Sequence, residues 1–106
     1  MRSTEQSAAD KACQYLVDSA YPYGDAQARK AKAEAMLRHI KALAMKASGE
    51  NAVSAQEREA YASDQYLAGI RELFEATQEA ERIKASREAA RHKIDYWRSV
   101  EASARV

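Results

Sequence analysis

"NAVSAQEREAYASDQYLAGI", residues 51–70, contains two helix-start signals in close succession. Ser54 and Glu57 fit a capping box, in which the Ser54 hydroxyl accepts from the Glu57 amide and the Glu57 carboxylate reaches back. This box predicts a short helix over about residues 55–62. Ser63 and Asp64 offer a second N-cap, and no proline follows them to the end of the chain. We therefore expect a break near Ser63 and a long last helix over about residues 64–104.

Two further helices are predicted before this stretch, over about residues 4–20 and 26–48. Ser3 or Thr4 can cap the first of them. The sequence "YPYGD", residues 21–25, is expected to separate the two, because proline lacks an N–H donor and glycine loosens the backbone. Asp25 then suits the N-cap of the second helix, and Gly49 stands where a C-terminal cap belongs.

The composition favours an all-α fold in a single domain of 106 residues. The chain has 24 alanines against 18 large apolar side chains of Val, Ile, Leu, Met, Phe and Trp, with one proline and three glycines. Alanine favours helix strongly but contributes little burial. Cys13 has no partner for an internal disulfide, no apolar run is long enough to span a membrane, and the N-terminus lacks the apolar centre of a signal peptide. We expect a cytoplasmic protein that has no membrane partner.

The long last helix would extend about 60 Å at 1.5 Å per residue. It has two apolar faces. One face is a patch that we expect to pack on the second helix of the same chain, formed by Tyr66, Leu67, Ile70, Leu73 and Phe74. The other has the alternating three- and four-residue spacing of a coiled coil, interrupted by Arg87. This alanine seam consists of Leu73, Ala76, Ala80, Ile83, Ala90, Ile94 and Trp97. The predicted fold is a helical bundle or hairpin in which the seam packs antiparallel against a second copy, giving a homodimer. A seam that forms the core of a single-chain bundle is the alternative.

Charge is distributed in blocks, although the net charge is only +1. The last helix has net charge −3 over residues 66–81 and +4 over residues 82–98. An antiparallel copy would set opposite charges against each other, which would fix orientation more than affinity. A basic ridge beside the seam could instead follow phosphates or bind an acidic partner, with Trp97 or Tyr96 as a stacking surface. This ridge consists of Lys84, Arg87, Arg91, Arg98 and Arg105.

Catalytic and metal-binding patterns are missing from the sequence. Cys13, His39 and His92 lie on three different segments without metal-ligand spacing. No glycine-rich phosphate loop, nucleophile elbow or Cys/His pair occurs. We expect no enzymatic activity, no catalytic residue, no metal and no cofactor.

Residues from about Glu34 to Arg105 resemble a group of small helical proteins encoded by phages and prophages of proteobacteria. The most specific part is "NAVSAQEREAYA", residues 51–62, and "IDYWRS", residues 94–99, is the second anchor. Members tend to lie among early genes for recombination and replication, and most have no assigned activity. The resemblance implies a non-catalytic accessory protein in DNA recombination or replication, which acts on DNA or on a DNA-handling protein. The alternative is a phage inhibitor that binds and blocks a host defence or repair protein.

Overall fold

The computed structural model describes residues 3–105, in which four α-helices and no strand occur. The helices are α1 (Thr4–Asp18), α2 (Ala20–Ala47), α3 (Val53–Tyr61) and α4 (Asp64–Ala104). The all-α class and the long C-terminal helix are confirmed. The Ser3 side chain accepts a hydrogen bond from the Gln6 amide at 3.0 Å, so the expected cap of the first helix is also present.

The break between α1 and α2 lies at Ser19, and the prediction of a break over residues 21–25 is wrong. The Ser19 amide donates to the Tyr15 carbonyl at 2.8 Å, which closes α1, and α2 begins at the next residue. Pro22 is the third residue of α2, where a backbone N–H has no partner within the helix in any case. Proline is therefore tolerated there, and Asp25 lies inside α2 rather than at its N-cap.

The second helix ends without the glycine cap that its sequence suggests. It finishes at Ala47, and the Ser48 amide donates to the Met45 carbonyl at 3.2 Å in a tightened last turn. None of the glycines within residues 3–105 has a positive φ, so Gly49 does not adopt the left-handed conformation of such a cap.

The two helix starts of residues 51–70 have different outcomes. Helix α3 begins at Val53 with Ala52 as its N-cap and no side-chain cap hydrogen bond, so the predicted Ser54 capping box is wrong. Because Ser54 lies inside the first turn, it is not the residue that precedes the helix. The Ser63 cap is confirmed, since the Ser63 hydroxyl accepts from the Tyr66 amide at 3.2 Å and donates to the Ala60 carbonyl at 2.7 Å.

The chain divides into two compact units. The terminal unit contains α1, the first turns of α2 and the second half of α4, with described residues 3–25 and 81–105. The central unit, residues 26–80, contains the rest of α2, α3 and the first half of α4. Among the residues described, every buried apolar side chain in either unit is alanine: Ala9, Ala12, Ala26, Ala33, Ala60, Ala76, Ala80 and Ala90. Small contact residues allow helix axes to approach closely, which explains where the core lies.

Candidate interaction surfaces

The alanine seam of α4 is covered by the chain's own helices. In the central unit Ala76 and Ala80 are buried, and in the terminal unit Ala90 is buried and lines a groove with Ala12 of α1. The larger seam residues are half-buried: Leu73, Ile83, Ile94 and Trp97. The structure thus assigns the seam to packing within one chain, the alternative to the predicted dimer seam, and a second copy is not needed to cover it.

Gly69 extends the same face of α4 and marks a close approach of α2 in the central unit. A Cβ placed on Gly69 would lie 2.8 Å from Leu37 Cδ1 and 3.1 Å from Ile40 Cδ1. Both distances are shorter than ordinary carbon–carbon contacts of about 3.5–4.0 Å. The absence of a side chain at residue 69 therefore lets α2 and α4 come together, a role that the sequence analysis missed.

The patch that was expected to face the second helix is largely exposed instead. Leu67, Ile70 and Phe74 are 45%, 43% and 67% exposed, and these three side chains are called the exposed patch below. Only Tyr66 and Leu73 of the predicted patch are half-buried. The covered and open faces of α4 are therefore reversed relative to the prediction. The physical reason is the approach at Gly69, where Leu37 and Ile40 of α2 already occupy the space that a large side chain of α4 would need.

The exposed patch lies on one defined side of the central unit. On the other side, a groove of about 360 Å³ between α2 and α4 is lined by Met36, Ala68 and Glu72, among others. At 100° per residue, the exposed patch is centred about 180° around α4 from the residues of that groove. The same geometry places Glu34 and Arg38 of α2 opposite Met36, so both lie on the side of the exposed patch.

The groove side of the central unit carries an ion-pair cluster centred on Arg29. Its guanidinium contacts Glu72 at 2.5 Å, Glu79 at 2.8 Å and Glu75 at 3.7 Å. The hydrogen bonds that Arg29 donates to Glu72 lower the pKa of the Glu72 carboxyl and raise the pKa of Arg29. Since these side chains are largely exposed, the cluster fixes the pairing of α2 with α4 more than it stabilises the fold. This role of Arg29 was not predicted from the sequence.

Lys41 joins α2 to α3 within the central unit. Its ammonium lies 4.7 Å from the centre of the Tyr61 ring and 3.6 Å from Glu57 Oε1. The contact with Tyr61, and then the Glu57 carboxylate, raises the pKa of Lys41. Tyr61 also packs edge-on against Tyr66 with ring centres 5.2 Å apart. Together these contacts attach the short helix to the side of α2 and α4 that carries the exposed patch.

The predicted basic ridge is only partly a free cationic surface. Lys84, Arg91, Arg98 and Arg105 are exposed. Arg98 lies 3.8 Å from Asp95, and Arg105 pairs with Glu101. Lys84 and Arg91 form no ion pair with any other residue in the described part of the chain.

Arg87 leaves the ridge and points towards the α1–α2 junction of the terminal unit. Its Nη1 donates to the Leu16 carbonyl at 2.8 Å and to the Ser19 hydroxyl at 2.6 Å, and the guanidinium lies 5.4 Å from the centre of the Tyr23 ring. Arg87 Nε is buried and has no hydrogen-bond partner in the structure. The interruption of the seam by Arg87 was visible in the sequence, but its partner was not. The residue holds the end of α1.

Grooves in the structure are open and lined mainly by small or apolar side chains. The terminal unit has one of about 600 Å³ between α1 and α4, and the central unit has one of about 420 Å³ near the end of α2. Within residues 3–105, no three His, Cys, Asp or Glu side chains are grouped so that they could hold a metal ion. In the same part of the chain, no helix is both long and apolar enough to cross a membrane.

Comparison with protein-family models, with curated proteins and with solved structures found no match to this chain.

Proposed function

We propose that this chain is a non-catalytic accessory protein that acts by binding another protein, in the recombination or replication of phage DNA. One observation carries the proposal: the buried apolar side chains of the described residues are all alanine, whereas ten large apolar or aromatic side chains are exposed. Three of the ten, Leu67, Ile70 and Phe74, share one side of α4, and contiguous exposed apolar surface is typical of sites that bind proteins. The phage setting is supported only by the resemblance of residues 51–62 and 94–99.

The accessible surface is also large for the mass of the chain. It measures 7845 Å², whereas a folded monomer of 11.8 kDa is expected to expose about 5,900 Å². The excess of about 1,900 Å² is more than twice the roughly 800 Å² that one partner contributes to a standard interface. Such a surplus favours a protein that is completed by its partners.

Charge favours a protein partner over nucleic acid. Residues 26–80 contain eight Lys/Arg and eight Asp/Glu, and residues 3–25 with 81–105 also contain eight of each, so each unit is neutral. Glu88 and Asp95 alternate with Lys84, Arg91 and Arg98 along the basic ridge. A surface that neutralises phosphates needs an excess of cations, which neither unit has.

The terminal unit provides the surface that best fits this partner. Val17 and Tyr21 are 69% and 86% exposed on either side of the α1–α2 break. The unpaired Lys84 lies one turn of α4 before Arg87, which is bonded to that break. Tyrosine is enriched at protein-binding sites, and a cation without an ion-pair partner favours acidic residues on the partner, so this surface suits a protein with acidic residues around an apolar centre.

The experiment compares protein capture and DNA binding by three versions of the chain: unmodified, Val17→Gln with Tyr21→Gln, and Tyr96→Gln as a matched exposed control. Each is tagged and incubated with extract of phage-infected bacteria, with and without nuclease. We expect the same proteins to be captured by the unmodified chain and the control after nuclease treatment, and to be lost with the double variant. Capture that disappears with nuclease, together with steep salt-dependent binding of labelled DNA, would contradict the proposal. Capture of a host enzyme whose activity is then inhibited would indicate the inhibitor instead.

A further inference from the structure

We propose that the central unit binds an amphipathic helix of a partner protein in a groove between α2 and α4, with a carboxylate of that helix at Lys32 and a cation at Glu59. The groove lies on the side of the Arg29 cluster, away from the exposed patch. This site is additional to the surface proposed for the terminal unit and does not depend on it.

The groove consists of two adjoining cavities. One of about 360 Å³ is lined by Lys32, and one of about 420 Å³ is lined by Ala47. Both are lined by Ile40 of α2 and Gln65 of α4, so together they form one surface, called the central groove below. Its α2 wall extends about 22 Å from Lys32 to Ala47 at 1.5 Å per residue, which is about four helical turns.

Helix α3 is attached to a different side of α2 and α4. Its contact on α2 is Lys41, which lies about 140° around that helix from Met36 at 100° per residue. Its contact on α4 is Tyr66, which lies about 160° around that helix from Ala68. From α3 itself, Glu59 borders the end of the central groove. The mouth of the groove is therefore open between α2 and α4.

The lining of the central groove is apolar along its length. Met36 lines one cavity and Leu43 the other, and these side chains are 44% and 52% exposed. With Ile40 between them they form a row at helical spacing, and methionine adapts readily to an apolar partner. Small residues allow a further helix to approach closely. Those in the lining are Ala33, Ala44, Ala47, Ala68 and Gly69.

The walls of the groove favour a helical occupant over an extended one. Both walls are α-helices, whose backbone N–H and C=O groups are already paired within each helix, so they offer no partners to an extended peptide. A helix satisfies its own backbone hydrogen bonds. An amphipathic helix places apolar side chains at i, i+3 or i+4 and i+7 spacing into a groove of this kind.

The two ends of the central groove carry opposite charges. Lys32 lines one end and Glu59 the other, and both are exposed. Neither forms an ion pair with another residue of the described chain. Arg29 and Glu72 also line the first end, but they pair with each other. Each end thus has one charge available to a partner.

This polarity defines the charge pattern of the partner helix. Glu59 lines the groove together with Leu43 and Ala47 of α2. Along α2 these two residues lie about 17–22 Å beyond Lys32 at 1.5 Å per residue. A complementary helix therefore has an acidic and a basic residue about three to four turns apart, at the two ends of its apolar stripe.

Synthetic helical peptides with a fluorescent label test the proposal by fluorescence anisotropy, with circular dichroism to verify that each protein variant is folded. Three peptides of about 18 residues share leucines at i, i+4, i+7 and i+11. The ends of this stripe carry Glu and Lys, two Gln, or two Lys. We expect the Glu/Lys peptide to bind most tightly and Met36→Glu to raise its dissociation constant at least about tenfold. Ile70→Glu is the matched control, because Ile70 is 43% exposed on the opposite side of the central unit, and it should bind like the unmodified chain.

Charge reversal tests the polarity of the site. Lys32→Glu makes both ends acidic, so it should bind the Lys/Lys peptide more tightly than the Glu/Lys peptide, the reverse of the unmodified chain. Arg38→Glu, on the side of the exposed patch, should keep the unmodified preference.

Three peptide results would overturn the proposal: no saturable binding of the Glu/Lys peptide, equal weakening by Met36→Glu and Ile70→Glu, or an unchanged preference in Lys32→Glu. Light scattering addresses a different occupant. An unmodified chain that is dimeric, and that becomes monomeric with Met36→Glu but not with Ile70→Glu, would assign the central groove to a second copy and overturn the proposal as well.

Discussion

Replacing Arg87 with methionine should destabilise the terminal unit, because it removes the guanidinium that holds the end of α1. Methionine keeps the apolar stem but cannot donate to the Leu16 carbonyl or the Ser19 hydroxyl. Hydrogen bonds that involve a charged group contribute roughly 1.5–3 kcal/mol each. Both bonds share one nitrogen of a half-buried side chain, so we take about 3 kcal/mol for the pair. Removal of the buried, unpartnered Nε offsets about 1 kcal/mol, which leaves a loss of about 2 kcal/mol.

That loss should lower the melting temperature by about 8 °C or more for a chain of this size. Urea unfolding followed by Trp97 fluorescence is the suitable assay, because Trp97 lies in the same unit as Arg87. A double-mutant cycle with Ser19→Ala should give a coupling free energy of about 1 kcal/mol between the two side chains. A change below about 0.5 kcal/mol for Arg87→Met, or strictly additive effects in the cycle, would refute the assignment of Arg87 to the α1–α2 junction.

Three further outcomes follow from the central unit. Replacing Ser63 with alanine should cost about 0.5–2 kcal/mol in thermal or urea unfolding, whereas the same change at Ser54, which caps nothing, should cost less than about 0.5 kcal/mol. Replacing Gly69 with leucine should destabilise the chain by about 1–3 kcal/mol, because the space that a side chain would need is already occupied; an unchanged urea midpoint would contradict the close approach of α2. Glu72 has a folded-state pKa below its ordinary value of 4.5. Its contribution to the free energy of unfolding is therefore fully present above about pH 4.5 and is lost as the pH falls through the folded-state pKa. The melting-temperature difference between the unmodified chain and Glu72→Gln should therefore vanish in acid, and a difference that persists there would argue against the pair with Arg29.

The sequence was sufficient for the fold class and for the start and end of the longest helix. Alanine-rich composition and few helix breakers determine helix locally, so α4 runs over Asp64–Ala104 as expected. The Ser63 cap was also predictable, because its hydrogen bond joins residues three apart. The position of the break between α1 and α2 was not predictable, since Pro22 is tolerated in the first turn of α2 and Ser19 carries no strong breaker signal. The contact that favours a break at Ser19 is the hydrogen bond donated by Arg87, which is distant in sequence.

Which face of α4 is covered was decided by tertiary structure alone. Sequence periodicity identified both apolar faces, and it weighted the one with the larger side chains towards the chain's own second helix. Packing selected the face with Gly69, Ala76 and Ala80, because small residues let the helices come together along their length. Leu67, Ile70 and Phe74 were left outside by the same approach. The periodicity of a helix shows which side chains share a face, but the distance to the neighbouring helix determines which face can be buried, and that distance depends on residues from both helices at once.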